Sequence, residues 1–350
     1  MEFASDNTSG AAPGVLAAVV AASEGYAPSY GTDQIMHRVT ARIRDLFETP
    51  EAAVFLVATG TAANSLALAC LTPPWGGVFC HEHAHVHEDE CGAPEFFTGG
   101  AKLIPVAGAH GRMSPAALAA AIDSPVHGSV HGVQPGAVSI TNATEAGTVY
   151  TPAMVAELAG VAKARGLPVH MDGARFANAL ASCGASPAEM TWKSGIDALS
   201  LGGSKNGCLG VEAVVLFDPA KAWEFELRRK RAGHLFSKHR FLAAQMEAYL
   251  HDGLWMSLAQ TANARAARLA EGLRTCPGAT VLHPVEANIV FAALPRGAHR
   301  RAMAAGARYY LVPGDPDPDG PPGDPVGCRL VCSWSTTEED VARLLDVIRG

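Results

Sequence analysis

Two stretches of the chain carry side chains that could act together in catalysis. One apolar run ends in Gly202-Gly203-Ser204-Lys205, and another, 167–171, ends at Asp172. A lysine that can form a Schiff base and a carboxylate that can keep a ring nitrogen protonated are the two groups that a pyridoxal phosphate enzyme needs. The pair therefore indicates such an enzyme. The alternative for Lys205 is an ordinary lysine in a polar turn after a strand.

A third stretch is typical of an anion site. The apolar run 52–58 predicts a buried strand, and small residues follow it before a helical pattern that extends to Leu71. The backbone N–H groups of such a turn and the dipole of the helix face the same ligand. Gly60, Thr61 and Ala62 are therefore the predicted phosphate cradle, and an ordinary tight turn is the alternative.

Alternating histidines in the run 80–91 raise a rival interpretation. His81, His83, His85 and His87 would share one face of a strand, which suggests a metal site. A dedicated zinc site needs converging ligands with supporting partners, whereas a flat ladder of side chains spreads its ligands apart. We therefore expect part of this run to be a solvated polar edge and one histidine to do chemistry.

The composition is that of a compact enzyme. The 350 residues are 48% hydrophobic and 17% charged, so the chain can bury a large core and is long enough to form a second lobe. Its formal net charge is −7 without a basic run, so we expect no nucleic-acid or membrane partner. We find no signal peptide and no apolar stretch near the roughly 20 residues of a membrane span, and we expect a cytoplasmic protein. The eight cysteines form no CxxC pair and are expected to be reduced thiols.

The segments between these motifs alternate between strand and helix. Helical spacing predicts a helix over 34–47, and Ser114-Pro115 and Thr151-Pro152 are helix starts. Strands separated by helices imply right-handed βαβ units and a mostly parallel sheet, in which ligands bind beyond the carboxyl ends of the strands. The predicted phosphate cradle should lie at that edge, together with Asp172, Lys205 and Glu145.

The chain is predicted to divide into an arm and two lobes. Residues 1–35 form the arm, 36–245 a large α/β lobe, and 246–350 a smaller α+β lobe with strands near 280–282, 287–292 and 329–332. A long basic helical segment is expected over 219–250. The proline-rich acidic loop 313–325 is expected to be mobile.

With these residues in place, the chain resembles the pyridoxal-phosphate-dependent threonine aldolases of the β-eliminating lyase group, and among them the bacterial low-specificity L-threonine aldolases. The motifs that carry the resemblance are Phe3-Ala4-Ser5-Asp6-Asn7, Gly60-Thr61-Ala62-Ala63-Asn64-Ser65-Leu66-Ala67-Leu68, Ala84-His85-Val86, Asp89-Glu90-Cys91-Gly92-Ala93-Pro94-Glu95-Phe96-Phe97, His170-Met171-Asp172-Gly173-Ala174-Arg175-Phe176, Gly202-Gly203-Ser204-Lys205-Asn206-Gly207, Pro284-Val285-Glu286-Ala287-Asn288 and Cys332-Ser333-Trp334. They cover nearly the whole chain.

The resemblance implies the aspartate-aminotransferase fold of pyridoxal phosphate enzymes, known as fold type I, with a mostly parallel sheet in the large lobe. It also implies a homotetramer built from dimers, with active sites at the subunit interface. Lys205, beside the cofactor-binding Ser204, would carry the cofactor, and Asp172 would pair with its ring nitrogen. Arg175 would lie near its phenolic oxygen and the substrate, and His85 would stack on its ring.

The resemblance also implies substrate contacts. Arg329 would clamp the substrate carboxylate, with Ser5 beside it. His131 would be a second substrate-facing histidine, for which His127 is the alternative.

The resemblance extends to two further positions, and the chain departs from it at two places. Tyr30 is a substrate-binding candidate, and Lys238 would reach the phosphate of a neighbouring subunit. Thr32 stands where members often have an acidic residue, and the loop before Arg329 is longer than in most of them.

The implied reaction is reversible retro-aldol cleavage. L-Threonine, L-allo-threonine and other β-hydroxy-α-amino acids would yield glycine and an aldehyde. Arg329 would align the Cα–Cβ bond for cleavage, and His85 or His131 would remove the β-hydroxyl proton. The alternatives are β-elimination, racemisation or transamination on the same scaffold, or a metal-binding protein that uses the 81–87 run.

Overall fold

The computed structural model describes residues 1–124, 128–312 and 320–350. Its strands are β1 (Ala53–Val57), β2 (Gly76–His81), β3 (Lys102–Val106), β4 (Gln134–Thr141), β5 (Val169–Gly173), β6 (Ala198–Gly202), β7 (Glu212–Leu216), β8 (Thr280–Val281), β9 (Ile289–Pro295), β10 (Tyr310–Leu311) and β11 (Pro325–Val331). Its α-helices are α1 (Pro13–Ala21), α2 (Gln34–Leu46), α3 (Gly60–Leu71), α4 (His85–Glu88), α5 (Ala93–Thr98), α6 (Pro115–Ile122), α7 (Pro152–Lys163), α8 (Phe176–Cys183), α9 (Pro187–Met190), α10 (Ala222–Arg231), α11 (Arg240–Leu250), α12 (Leu254–Arg274), α13 (Arg296–Ala304) and α14 (Glu338–Arg349).

Seven strands form one mostly parallel sheet, as the alternation of strand and helix predicts. Their order is β1-β7-β6-β5-β4-β2-β3, and only β7 runs antiparallel to its two neighbours. The central strands are continuous apolar runs because helices cover both faces of the sheet. The carboxyl ends of β1, β4, β5 and β6 therefore meet at one edge. Since β7 is reversed, its first residue, Glu212, lies at that same edge.

A second, four-stranded sheet has the order β10-β11-β9-β8 and is antiparallel. It packs with the second half of α12, with α13 and with α14 into a separate apolar core. Helix α12 contributes to both cores: Ala259 packs in the core of the large lobe, and Ala266 packs in the core of the small lobe. The change of core thus falls within α12, later than the proposed boundary at 245/246.

The N-terminal arm joins the two lobes. Phe3 is fully buried in the small-lobe core, and its carbonyl accepts a hydrogen bond from the N–H of Val331 at 2.8 Å. The N–H of Ala12 donates to the carbonyl of Gly207, two residues after Lys205, at 2.8 Å. Burial and backbone pairing therefore hold the arm against the site edge of the sheet.

Most predicted helices are present, and α6 and α7 begin at the predicted helix starts. The side chains of Thr59, Ser114 and Thr151 accept the N–H group three residues later, which is why α3, α6 and α7 begin there. The helix predicted over 219–250 is wrong as one element: it is broken between α10 and α11. Gly233, with φ of +79°, follows the last turn of α10 and ends it.

The alternating-histidine strand is also wrong beyond its first residue. Strand β2 ends at His81, and the chain turns into the single-turn helix α4 at His85. The N–H of His83 donates to Nδ1 of His81, which closes the turn. The histidines therefore do not share one face.

Among the described residues, no helix has both the length and the apolar character that crossing a bilayer requires. All eight cysteines are free thiols, and six of them are buried. Of the proline-rich loop, 313–319 lies outside the described residues, and β11 begins at Pro325.

Candidate active site

A cavity of about 310 Å³ opens at the carboxyl edge of the large sheet. Its walls come from the β1–α3 turn, α4, the end of β5, the turn after β6 and the start of β7. The lining residues with polar side chains are Asn7, Thr59, Thr61, Asn64, His85, Asp172, Ser204, Lys205 and Glu212. The lysine, the carboxylate and the helix start that the sequence singled out are therefore in one place.

Lys205 lies in a single 3₁₀ turn, Ser204–Asn206, directly after β6. The Nδ2 atom of Asn206 donates to the Tyr249 hydroxyl and to the Trp255 carbonyl, each at 2.8 Å. The Tyr249 hydroxyl in turn donates to the carbonyl of Gly202 at 3.2 Å. These buried bonds fix the backbone from which the Lys205 amine extends.

Gly202 allows this turn to approach the end of β5. A Cβ atom at this position would lie 2.2 Å from the carbonyl oxygen of Ala174, which is well inside van der Waals contact. Only glycine therefore permits this spacing of the two strand ends, and the spacing brings Lys205 and Asp172 to the same cavity.

Asp172 belongs to a chain of hydrogen bonds that ends at His85. Its Oδ1 accepts the N–H of Ala174, and its Oδ2 accepts a hydrogen from Asn64 Nδ2, each at 3.0 Å. The same Nδ2 donates to Glu90 Oε1 at 2.8 Å, and that oxygen lies 2.8 Å from His85 Nδ1. Since a carboxylate accepts and does not donate, His85 carries its proton on Nδ1 in this arrangement, which leaves Nε2 free.

The charges along this chain shift two pKa values upward. The hydrogen bond to Glu90 raises the pKa of His85, against the opposing effect of burial. Burial in turn raises the pKa of Glu90, although its bonds to His85 and Asn64 act in the other direction. The sequence analysis gave no role to Glu90 or Asn64, although both lie in motifs that carry the family resemblance.

His170 lies two residues before Asp172 on β5 and is fully buried. Its two ring nitrogens are each 3.0 Å from a serine hydroxyl, that of Ser139 on β4 and that of Ser200 on β6. Burial lowers the pKa of His170 to about 4, so the ring is neutral at physiological pH. The histidine therefore links three strands and carries no charge beneath the site.

Two of the three residues predicted as a phosphate cradle line the cavity. Gly60 and Thr61 line the cavity at the start of α3, and a Cβ atom on Gly60 would meet nothing within 4 Å, so the space in front of this turn is open. Ala62 does not line the cavity, and its N–H donates to the hydroxyl of Thr59 at 3.2 Å. Thr59 lines the cavity in its place.

Arg175, expected near the cofactor and the substrate, does not line the cavity. Its Nε and Nη2 atoms donate to the two carboxylate oxygens of Asp6, at 2.7 and 3.0 Å, and both side chains are buried. Burial would raise the pKa of Asp6, but the charges of Arg175 and Lys205 and the hydrogen bonds from Arg175 and Asn288 hold it below its usual value. The pair ties the arm to the large lobe, and Asp6 is a residue whose role the sequence analysis missed.

Arg329 lies on β11 near this pair. Its Nη1 donates to the carbonyl of Ala4, the residue before Ser5, at 3.3 Å. Burial and the nearby charge of Arg175 lower the pKa of Arg329, whereas the carboxylates of Glu145 and Asp6 raise it. A cation is thus held partly buried at the small-lobe side of the site.

Three further predicted site residues do not reach this cavity within one chain. His131 is exposed and precedes β4, whose opposite end lies at the site, about 25 Å away for a strand of this length. Tyr30 is 46% exposed, and the Lys230 ammonium lies 4.8 Å from its ring centroid. Lys238 is exposed in the loop between α10 and α11. The alternative to His131, His127, lies outside the described residues.

The rival metal site finds no geometric support in the described part of the chain. There, no group of three or more histidine, cysteine, aspartate or glutamate side chains is arranged to hold a metal ion. His81 Nε2 lies 3.0 Å from the Gly108 carbonyl, and His87 Nδ1 lies 3.0 Å from that of Glu82. Of the four histidines, His85 alone lines the described cavity.

Comparison with known proteins agrees with this geometry. Residues 2–295 match the family described as Beta-eliminating lyase. The chain belongs to this family. A relative called low specificity L-threonine aldolase, from Pseudomonas aeruginosa, is 43% identical over 348 residues, which are 99% of this chain and 97% of that protein.

Solved structures share the fold. The threonine aldolase of Leishmania major is 28% identical and superposes with a TM-score of 0.91 over 99% of this chain and 98% of its own. A structure of Oryza sativa TDC with PLP and tryptamine is 15% identical, with a TM-score of 0.73 over 99% of this chain and 82% of its own. The β-eliminating lyase family member described here thus has the fold type I architecture that the resemblance implied.

Proposed function

We propose that this protein binds pyridoxal phosphate and cleaves β-hydroxy-α-amino acids, among them L-threonine and L-allo-threonine, to glycine and an aldehyde in a reversible reaction. One observation carries the proposal: the Lys205 amine, the Asp172 carboxylate and the open start of α3 line the same cavity of about 310 Å³. The threonine aldolase names of the relatives in Pseudomonas and Leishmania support the choice of reaction.

The cavity fits the cofactor. The Lys205 amine is available for a covalent bond to the aldehyde, and Asp172 is the carboxylate for the ring nitrogen. The open turn at Thr59 to Thr61, with the Ser204 hydroxyl, is the place for the phosphate. His85 lines the same cavity and would stack on the ring.

When bound, pyridoxal phosphate supplies an electron sink for the bonds at Cα of an amino acid. Arg329 binds the substrate carboxylate bidentately, which orients the Cα–Cβ bond for cleavage. Its partly buried guanidinium has the backbone carbonyl of Ala4 as a neighbour, whereas Arg175 nearby is paired with Asp6 and Lys205 would hold the cofactor.

His85 is the base that takes the β-hydroxyl proton as the aldehyde forms. Glu90 holds Nδ1, and the free Nε2 accepts the proton. The ring belongs to the cavity wall, whereas His131 of the same chain is far from it. This geometry favours His85 over His131 as the base within one subunit.

We further propose that the protein is a cytoplasmic homotetramer, a dimer of dimers with active sites at the subunit interface. Large apolar side chains support an interface on the α5–α10 side: Phe96 is 77% exposed and Trp223 is 72% exposed. A second cavity of about 650 Å³ lies there between α3, α5 and α10, away from the catalytic groups. In such an assembly, Tyr30, Lys238 and His131 of one subunit would act at the active site of a neighbouring copy.

The decisive experiment follows the products from each of the four threonine stereoisomers. We expect equimolar aldehyde and glycine from the L-isomers, whereas ketoacid and ammonia would point to β-elimination and contradict the proposal. Lys205→Ala should lose turnover and the absorbance band of the lysine-bound cofactor. Arg329→Ala should lose turnover but retain the band; loss of the band there would remove Arg329 from the substrate site.

A further inference from the structure

Glu212 is a buried carboxyl group in the cavity that the reaction described above does not use. It is 6% exposed and lines the same walls as Lys205 and Gly60. Its backbone pairs with Val57, the last residue of β1, and with Gly202, the last residue of β6. Glu212 therefore lies between the strand that leads to the anion cradle and the strand that leads to the lysine turn.

Hydrogen bonds tie this carboxyl group to the turn that carries Lys205. Its Oε2 accepts the N–H of Gly203 at 2.8 Å, and the neighbouring Ser204 favours its charged form and so acts to lower its pKa. The Ser204 oxygen also accepts the N–H of Val211 at 3.1 Å. The acid and Ser204, one of the proposed phosphate contacts, line the same cavity.

Burial raises the pKa of Glu212 to about 7, although Ser204, the hydrogen bond from Gly203 and the charge of Lys205 act in the other direction. The carboxyl group therefore changes its charge in the physiological range. The other titratable groups around it are Cys208 in the loop after the lysine turn and Tyr249 on α11.

Charged groups on the remaining elements have partners of their own. Asp172 and His85 stand on other walls of the cavity within the hydrogen-bond chain described above. On the α10 side, Arg229 pairs with Glu226 and lies 5.3 Å from the Phe55 ring centroid. In the described structure, Lys205 is the cation whose charge acts on Glu212.

We propose that Glu212 takes up a proton from solvent when the cofactor phosphate binds, so that cofactor affinity depends on the protonation of this one carboxyl group. A phosphate monoester carries a charge of roughly −1.5 to −2 near pH 7. A second anion in the same small, partly dehydrated cavity repels it, and a proton on Glu212 removes that repulsion. The inference rests on the proposed cofactor pocket.

The sign of the pH dependence follows directly. Below the pH at which Glu212 ionises in the empty cavity, the group is protonated before and after binding, and its contribution to the affinity is constant. Above that pH, binding must add a proton, and affinity falls by up to about tenfold for each pH unit. The fall ends where the group ionises in the complex.

The test uses 4′-deoxypyridoxine 5′-phosphate, which has the ring and the phosphate but no aldehyde to react with Lys205. Its binding to the cofactor-free, full-length protein is measured by calorimetry in buffers of different ionisation enthalpy, which counts the protons taken up. About one pH unit above neutrality, wild type should take up more protons than Glu212→Gln, with a difference approaching one proton. The affinity of wild type, relative to that of the variant, should fall as pH rises.

Glu51→Gln is the matched control, because it makes the same chemical change at an exposed position before the other end of β1. This variant should take up as many protons as wild type. Equal proton uptake by wild type and Glu212→Gln would overturn the inference and leave the proposed function standing. Failure of the probe to bind wild type at any pH would instead overturn the cofactor pocket itself, and the inference with it.

A measurement on wild type alone covers the case in which Glu212→Gln does not fold. Infrared difference spectra recorded above neutral pH should gain the C=O stretch of a protonated carboxyl group when the probe binds. A spectrum without that gain contradicts proton uptake at Glu212, whatever the variant does.

Discussion

At the scale of single residues, one amide holds two carboxylates in fixed positions. Asn64 Nδ2 donates one hydrogen to Asp172 and the other to Glu90, so the acid proposed for the cofactor ring and the acid beside His85 are positioned by the same side chain. Its Oδ1 is buried and has no partner in the described structure. That oxygen lies on a residue of the cavity wall, where a bound ligand can supply a donor.

Glu90→Gln should lower the pKa of His85, because the hydrogen bond to the Glu90 carboxylate is the main cause that raises it. The base works in its neutral form, so the acid limb of the kcat/KM profile should move to lower pH. The maximal rate should also fall about tenfold or more, a part of the roughly 10²–10⁴ that a positioned base contributes. An NMR titration of the His85 ring and the pH profile for L-threonine measure the two effects.

Glu88→Gln is the control for this change. Glu88 Oε1 lies 3.1 Å from His83 Nδ1 in the same arrangement, but both side chains are exposed and outside the cavity. The control should keep the wild-type profile. If the acid limb of the kcat/KM profile were the same in Glu90→Gln as in wild type, the Glu90–His85 contact would not set the pKa of the base.

At the scale of elements, the arm depends on one buried ion pair. Asp6→Asn leaves Arg175 buried without its counter-charge, which should cost roughly 3–5 kcal/mol of unfolding free energy at neutral pH. The pKa of Asp6 is lowered in the folded protein, so the pair's contribution is present above the usual carboxyl range and is lost as pH falls through the folded value. The difference between wild type and variant should therefore shrink in acid, as urea unfolding at several pH values will show.

Asp123→Asn removes the partner of Arg165 in a pair on the protein surface and is the matched control. Its unfolding midpoint should stay close to that of wild type. If Asp6→Asn behaved like Asp123→Asn, the arm would not depend on the buried pair.

The ends of β5 and β6 provide a second element-scale prediction. Gly202→Ala places a Cβ atom against the Ala174 carbonyl, so the strand ends must separate. We expect a loss of roughly 1–3 kcal/mol in stability, the usual cost of overpacking, together with weaker cofactor binding because Lys205 and Asp172 move apart. Gly160→Ala, in α7 where a Cβ atom meets nothing within 4 Å, should instead stabilise the protein by about 0.5–1 kcal/mol. The same glycine-to-alanine change should thus lower the midpoint of thermal unfolding at position 202 and raise it at position 160.

How much of this was predictable from the sequence depends on the range of the interactions. Strand runs and caps are local, so β1, α3 and the turn at Lys205 were predicted correctly. The contact of Asp6 with Arg175 spans 169 positions and has no local pattern. The break between α10 and α11 was missed because its residues look helical, although Gly233 marks the end of a helix.

The role of Glu212 was missed for a topological reason. A glutamate before the apolar run 213–216 looks like the solvent end of a strand. Its burial follows only from the reversed direction of β7, which brings its first residue to the edge where the parallel strands end.

At the scale of the whole molecule, one chain does not bring all of the predicted site residues together. His131 is separated from the cavity by the length of β4, so any part that it plays in turnover is played at the site of a neighbouring copy. His131→Ala and Lys205→Ala should each be inactive or nearly so. Mixed oligomers of the two variants should nevertheless recover activity, because one site of each mixed dimer receives both an intact Lys205 and the partner copy's intact histidine. Random pairing predicts about a quarter of the wild-type activity.

Arg329→Ala is the control for the experiment with mixed oligomers. Arg329 lies beside the Ala4 carbonyl and the Asp6–Arg175 pair of its own chain, so it serves the same site as the Lys205 of that chain. Mixing Arg329→Ala with Lys205→Ala leaves every site without one of the two groups, and no activity should return. Co-expression with two affinity tags isolates the mixed oligomers, and aldehyde release from L-threonine measures their activity. If the His131 mixture were as inactive as the Arg329 mixture, His131 would have to act within its own chain, and the loop before β4 would have to cross the sheet to do so.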